Sequence, residues 1–312
     1  MLMTVVCWGF NFVALKLLFA EGLTPAATSL VRFLLMWGVL AAICRLRKEP
    51  LSYPEGSTIA LWTLGFLSMG VYMILFLEGM ARTTAAEGAI VLATSPVLTA
   101  LVAVAMKRER FVWGALLGAV VAFIGVFLVV FAGDQNSHGT LLGNGLVLLS
   151  SLVWAYCAVQ TRIFLDDMSP LRALTLSMPG ALPILLVYGL AATLAVPWSD
   201  FTWVGWAMLA HITLLAGVVG FLGFFAGVRQ VGSSGAMLYQ FLVPPIAAFF
   251  AWALLKQPLL PQQGVGLVVV LAGVWWSTRS RLTGVSPASE MPSEAEESRP
   301  IGARSSSDQA VL

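Results

Sequence analysis

Residues 95–106 read SPVLTALVAVAM, and 148 positions further on residues 243–254 read VPPIAAFFAWAL. Pro96 meets Pro244, and Ala100, Ala103 and Ala105 meet Ala248, Ala251 and Ala253. Carried outward without a gap, the same shift lays Gly79 on Gly227, Gly118 on Gly266, and Gly125 with Val126 on Gly273 with Val274. Prolines and small residues fix helix kinks and close helix approach, consequences that other residues do not reproduce, so a shared shape explains the matches better than shared greasiness. The chain is an internal duplication, and both copies are almost wholly apolar.

Of the 312 residues 59% are hydrophobic and 10% charged, against about a quarter charged in an ordinary soluble protein. The solvent for most of the chain is lipid. A helix needs about 20 apolar residues to cross the hydrocarbon core. Ten segments qualify, near 1–20, 25–44, 57–81, 84–106, 111–132, 140–163, 171–196, 202–228, 233–255 and 262–279. Short loops rich in Lys and Arg stay in the cytoplasm. With the N-terminus inside, the cytoplasmic connections hold Arg45, Arg47, Lys48, Lys107, Arg108, Arg110, Arg162, Arg172, Arg229, Arg279 and Arg281, and the other side only Arg82 and Lys256, eleven against two. Both termini are therefore expected in the cytoplasm, and an odd number of spans per half makes the repeats inverted, the usual architecture of secondary transporters. The expected fold is an all-α membrane protein of ten transmembrane helices in two inverted five-helix repeats, residues 1–132 and 140–280. Residues 281–312 turn to Ser, Glu, Pro and Gly and are expected to be a disordered cytoplasmic tail. Helix 1 has no basic residue ahead of its apolar run and no small-residue cleavage site after it, so a retained span is expected rather than a signal peptide.

Cys7, Cys44 and Cys157 stand singly, with no pair and no metal-type spacing, and read as packing residues. The net charge of +2 says little about partners. Those expected are a small-molecule substrate and membrane lipid, with no nucleic acid, cofactor or metal.

In order and spacing across the spans, the chain resembles the drug/metabolite transporter superfamily, specifically its ten-helix EamA-like branch. The resemblance covers about residues 3–280. It rests on Trp8-Gly9-Phe10-Asn11-Phe12 through Lys16, Arg32-Phe33, Ser95-Pro96-Val97 running to Lys107-Arg108-Glu109-Arg110, Trp154-Ala155-Tyr156, Val243-Pro244-Pro245, and Gly266 with Gly273-Val274. It implies a carrier of the bacterial inner membrane, often an exporter of amino acids or related metabolites, with a central cavity opening alternately to each side. Where members commonly place Glu-Pro after helix 9 this chain has Gln257-Pro258, although Glu109 keeps the acid in the first half.

Ionisable groups inside a membrane cost at least about 2.5 kcal/mol each at its centre and call for a reason. Lys16, Arg32, Glu78 and Glu87 fall toward the outer third of the first half, where two cations and two carboxylates can neutralise one another. Arg32, roughly 10 Å below the outer start of helix 2, is expected to attract a substrate carboxylate. Glu78 and Glu87 are candidates for proton coupling, as is His211, the one histidine within a span. Snorkelling and a structural ion pair are the plainer reading. Nearer the midplane, Trp8, Asn11 and Leu15 share one face of helix 1, and a shift of 146 lays Trp154 on Trp8, Cys157 on Asn11 and Arg162 on Lys16. With Tyr72, Tyr156, Tyr239 and Gln240 they are the candidate substrate-binding residues, a lining suited to an amphipathic organic solute. Gln160 adds a further hydrogen-bonding group. Ordinary packing and interfacial belts account for many such aromatics.

Helix 8 carries Gly217, Gly220, Gly223 and Gly227, and helix 5 carries Gly114, Gly118 and Gly125. Helices 5 and 10, the most uniformly apolar, are expected to pack together as a scaffold or as a homodimer face. Pro96, Pro179, Pro183, Pro244 and Pro245 interrupt helices 4, 7 and 9 and mark candidate hinges. The chain has no GxxxxGK[ST] phosphate cradle, so transport would draw on a gradient. Drug efflux or uptake of a small organic solute is the alternative within carriers, and a channel or receptor lies further off. An intramembrane enzyme is the remote rival. Gly232-Ser233-Ser234-Gly235 fits a GxSG pattern, but His211 should lie more than about 15 Å from it along the membrane normal.

Overall fold

The computed structural model describes residues 1–108, 112–131, 140–257 and 261–284. The tail beyond Gly284, Glu109 and Pro258 lie outside the described residues.

Helix starts are set by hydroxyl caps. Thr24 accepts from Ala27 N–H ahead of Pro25, Thr84 from Glu87, Thr140 from Gly143, Ser169 from Arg172 and Thr202 from Gly205. Each satisfies a donor that the first helical turn leaves unpaired. The helices so begun, and those between them, are α1 (Leu2–Ala20), α2 (Pro25–Leu46), α3 (Thr58–Arg82), α4 (Ala85–Ala105), α5 (Trp113–Phe131), α6 (Leu141–Leu165), α7 (Pro170–Leu194), α8 (Trp203–Ser233), α9 (Tyr239–Leu255) and α10 (Pro261–Gly284). Among the described residues there is no strand. Among the described residues, α1, α2, α3, α4, α6, α7 and α8 are by length and composition long and apolar enough to cross a membrane, seven in all. α9, also apolar, is shorter. Large apolar side chains such as Ile59, Trp113, Phe127, Val187, Trp203 and Trp275 lie exposed on the outside of the bundle, the surface of a multi-pass membrane protein.

The helices are interrupted at the prolines. α4 breaks at Ala93 and Thr94 and restarts at Ser95 with Pro96 in its first turn. There Thr94 Oγ1 donates to the Val91 carbonyl at 2.8 Å and Ser95 Oγ to the Leu92 carbonyl at 2.6 Å, so the freed acceptors are met locally. α7 narrows to a 3₁₀ turn at Met178–Ala181, and α9 opens with one at Tyr239–Leu242 before Pro244. Two further irregularities have no proline. α3 widens to a π turn at Phe66–Val71, and α8 to another at His211–Val219. The shift of 148 carries the first onto residues 214–219, inside the second.

The most extensive pairing among the described residues is α5 with α10. A side chain at Gly118 would collide with the backbone of Gly273 and Ser277, one at Gly273 with that of Gly118 and Ala122, and one at Gly125 with that of Gly266 and Val270. Only glycine lets the two backbones come this close. These two helices thus spend their smallest faces on each other within one chain. α1 runs through the middle of the remaining bundle, against α4, α8 and α9.

Candidate functional site

A cavity lies between the two halves. α1 contributes Trp8, Asn11 and Phe12, α2 Arg32, α3 Tyr72, Met73 and Phe76, and the break in α4 contributes Leu92 and Ala93. From the second half come Trp154 of α6, Phe221 of α8, and Gln240 and Val243 at the 3₁₀ opening of α9. The wide turns set part of this lining. Tyr72 and Met73 follow the π turn of α3 directly, and Phe221 follows that of α8 by one residue. Such turns re-aim the side chains after them and recur at functional sites.

The walls are an aromatic cluster. Trp8 and Trp154 meet edge to face with centroids 6.0 Å apart, both meet Phe221 in the same manner at 5.7 and 5.6 Å, and Tyr72 tilts against Trp154 at 5.3 Å. Trp8 Nε1 donates to the Ala216 carbonyl at 2.9 Å and so satisfies an acceptor within the π turn of α8. Trp154, its repeat counterpart, makes no such bond among the described residues.

Against these walls stand three polar side chains with atoms left over. Arg32 is 4% exposed, Asn11 5% and Gln240 5%. Arg32 Nη1 meets only the Met73 thioether, at 3.6 Å, and its Nε has no partner. Asn11 Oδ1 and Gln240 Nε2 are likewise buried and unpartnered. Buried polar atoms are nearly always hydrogen-bonded, so three that are not, around one cavity, make it the candidate binding site.

The structure thus brings together six of the eight substrate-site candidates: Trp8, Asn11, Arg32, Tyr72, Trp154 and Gln240. It puts Tyr156 in a second cleft, between α3 and α6, with Gln160, Phe164, Ala60, Thr63, Leu64 and Leu67. Tyr156 accepts there from Gln160 Nε2 at 3.3 Å. Tyr239 turns away from the cavity that its neighbour Gln240 lines, and is 39% exposed. Phe12 and Phe76 lie four residues beyond Trp8 and Tyr72, so the helical spacing that grouped Trp8 with Asn11 also marked them. Phe221 and Met73 carried no such signal.

The expected cluster of four charges is divided. Glu78 pairs with Arg82 and accepts from the Tyr188 hydroxyl. Glu87 is 0% exposed and accepts from Thr83 Oγ1 at 3.2 Å, Asn144 Nδ2 at 3.1 Å and Gln263 Nε2 at 3.2 Å, with Lys16 in electrostatic reach. It joins α4 to α6 and α10 beside the cavity, without lining it. Arg32 is left without a carboxylate among the described residues. His211 Nε2 lies 3.1 Å from the Cys7 carbonyl, and its ring meets Phe10 edge-on at 4.6 Å, outside the cavity. Ser233 donates to the Ala158 carbonyl at 3.1 Å, beside the helix kink at Gly232, where φ is 78°. Among the described residues no three of His, Cys, Asp and Glu converge as a metal site would require.

Comparison with known proteins agrees with this architecture. The chain is 28% identical over 233 residues to the uncharacterized transporter YyaM of Bacillus subtilis strain 168, covering 74% of this chain and 73% of that one. It is 27% identical over 293 residues to a protein of Streptantibioticus cattleyicolor named as a probable terminal-alkyne amino-acid exporter, covering 90% and 93%. A solved crystal structure superposes with a TM-score of 0.64 at 16% identity, over 91% of this chain and 96% of that one, which shows a shared fold. Residues 1–131 and 141–279 each match the EamA-like transporter family, and the chain belongs to that family.

Proposed function

We propose that this transporter is a secondary carrier that exports amino acids or related small metabolites by alternating access. It does so as ten spans in two inverted five-helix repeats, residues 1–132 and 140–280, in a bacterial inner membrane with both termini in the cytoplasm. One observation carries the reading: a cavity walled by helices of both halves holds a buried guanidinium and two amides, each with one polar atom that has no partner. A carrier needs its binding groups unsatisfied until substrate arrives, and near the junction of its repeats. The relative named as an amino-acid exporter supports the substrate class.

In this reading Arg32 engages the substrate carboxylate, Asn11, Gln240 and Trp154 N–H its other polar atoms, and the aromatic walls its apolar body. The breaks in α4 and α9 and the wide turns in α3 and α8 let one set of helices rock against the other. Glu78, Glu87 and His211 are the candidates for proton coupling. Glu87 is the member of the three best placed to exchange a proton, since it alone is both fully buried and tied to three helices.

The test is efflux from cells that express the chain, preloaded with mixed amino acids and followed by metabolite profiling. Selective loss of one solute class that vanishes in Arg32→Gln is expected. Unchanged retention of every solute would overturn export and shift the reading to drug efflux or to uptake.

A further inference from the structure

We infer that the cavity is built for an organic anion: a monocarboxylate with an aromatic or branched apolar body and no ammonium group. The inference rests on the carrier reading above and narrows its substrate to the related metabolites, setting amino acids themselves aside.

The argument begins with charge balance. Arg32 is 4% exposed and its fork faces a thioether on one arm and nothing on Nε. Among the described residues no carboxylate lines the cavity. The acids of α3 and α4 are engaged elsewhere, Glu78 with Arg82 and Tyr188, Glu87 with Thr83, Asn144 and Gln263. A buried guanidinium without a counter-ion is costly, and the fork geometry matches a carboxylate in two parallel bonds. The occupant that neutralises this chamber carries one net negative charge.

A zwitterion brings the same carboxylate and also an ammonium, which would lose its water with no anion to meet it. Aromatic faces can hold a cation, but here the rings are packed against one another. Trp8, Trp154 and Phe221 are mutually edge to face, with interplanar angles of 81°, 70° and 83°, and Tyr72 stacks on Phe76 at 13°. What remains for a second polar group is neutral: the Tyr72 hydroxyl and Trp154 N–H on the walls, and the acceptor Asn11 Oδ1 paired with the donor Gln240 Nε2. A hydroxyl or keto oxygen next to the carboxylate meets that pair, as in a 2-hydroxy or 2-oxo acid. The aromatic walls exclude a bare inorganic anion, which they could not solvate.

The experiment uses the purified full chain in proteoliposomes and three labelled solutes sharing one phenyl body: phenyllactate, an anion; phenylalanine, a zwitterion; and phenethylamine, a cation. Phenyllactate is expected to exchange faster than phenylalanine by about tenfold or more, with phenethylamine at background. Arg32→Gln should abolish the preference and Arg32→Lys restore part of it, each checked for folding by gel filtration. The wild-type ranking decides even where a variant does not fold. Phenylalanine or phenethylamine moving as fast as phenyllactate overturns the inference and leaves the carrier reading standing, and so does a preference that survives in Arg32→Gln. If none of the three moves, the solute found by cellular profiling decides: a carboxylate without an ammonium supports the inference, and any other charge overturns it. Should no solute move in either assay, both readings fall.

Discussion

The repeat shifts relate the helix pair α3 and α6 to the pair α8 and α1, and the two pairs differ. At one end they agree: a side chain at Gly79 of α3 would strike Val147 Cγ2 at 2.7 Å and the Gly143 carbonyl at 2.9 Å, and one at its counterpart Gly227 of α8 would strike the Met1 side chain. At the other end they part. Thr63 and Tyr156 are walls of the cleft between α3 and α6, while their counterparts His211 and Phe10 are in ring contact at 4.6 Å. Leu64 and Gln160 line the same cleft, and their counterparts Ile212 and Ala14 are fully buried. Beyond them Glu21 accepts from both the backbone N–H and the hydroxyl of Thr202, at 3.1 and 2.7 Å, so α1 and α8 stay joined to their ends. The same half of α3 leans instead on α7, where Gly65 abuts the Ser177 carbonyl and Gly180 the Trp62 carbonyl. One pattern, written twice, is folded once shut and once ajar. Under the proposed cycle that is a carrier caught with its basic end open.

The largest effect expected from this comparison comes from clamping the open pair. With Cys7, Cys44 and Cys157 replaced, cysteines at positions 64 and 160 joined by a bifunctional reagent should lower flux at least about tenfold, reversibly on reduction. Undiminished flux would mean that the cleft is static packing and that the difference between the pairs says nothing of motion. Next come the shared tight ends. Gly79→Ala meets a neighbouring backbone and should cost about 1–3 kcal/mol, read as a lower melting temperature in detergent. Gly227→Ala meets the movable end of Met1 and should cost less, and Gly145→Ala, with nothing within 4 Å, should change nothing. Equal losses at 79 and 227 would make the two ends alike in rigidity. The smallest effect separates the paired tryptophans. Trp8→Phe strands the Ala216 carbonyl, so it should destabilise by about 1 kcal/mol more than Trp154→Phe. Trp154→Phe should instead weaken substrate binding in a thermal-shift titration.

Apolar runs and matched prolines carried most of the helix pattern, because lipid leaves the backbone few alternatives to a helix and proline breaks one wherever it falls. Residue type and depth were enough to gather Trp8, Asn11, Arg32, Tyr72, Trp154 and Gln240. Azimuth was not legible in the same way. A period of 3.6 locates a face only while the turn stays regular, and the π turns at Phe66–Val71 and His211–Val219 rotate all that follows. Neither contains a proline to announce it, and Met73 and Phe221 are brought to the cavity beyond them. Tyr239 and Gln240 share a depth and part by direction, which composition does not record. Division of the four charges was hidden for another reason: Glu87 finds its partners in Asn144 of α6 and Gln263 of α10, far along the chain and neutral, where charge counting does not look.

The glycine-lined seam between α5 and α10 bears on how the molecule is made. Its two sides are the last helices of their respective halves, so the first cannot be completed until nearly the whole chain has been synthesised. Until then α5 presents Gly118 and Gly125 to lipid as an unfilled groove. Closing a loop that long is entropically slow, and the final act of assembly is therefore the arrival of α10, which locks two separately inserted halves into one body.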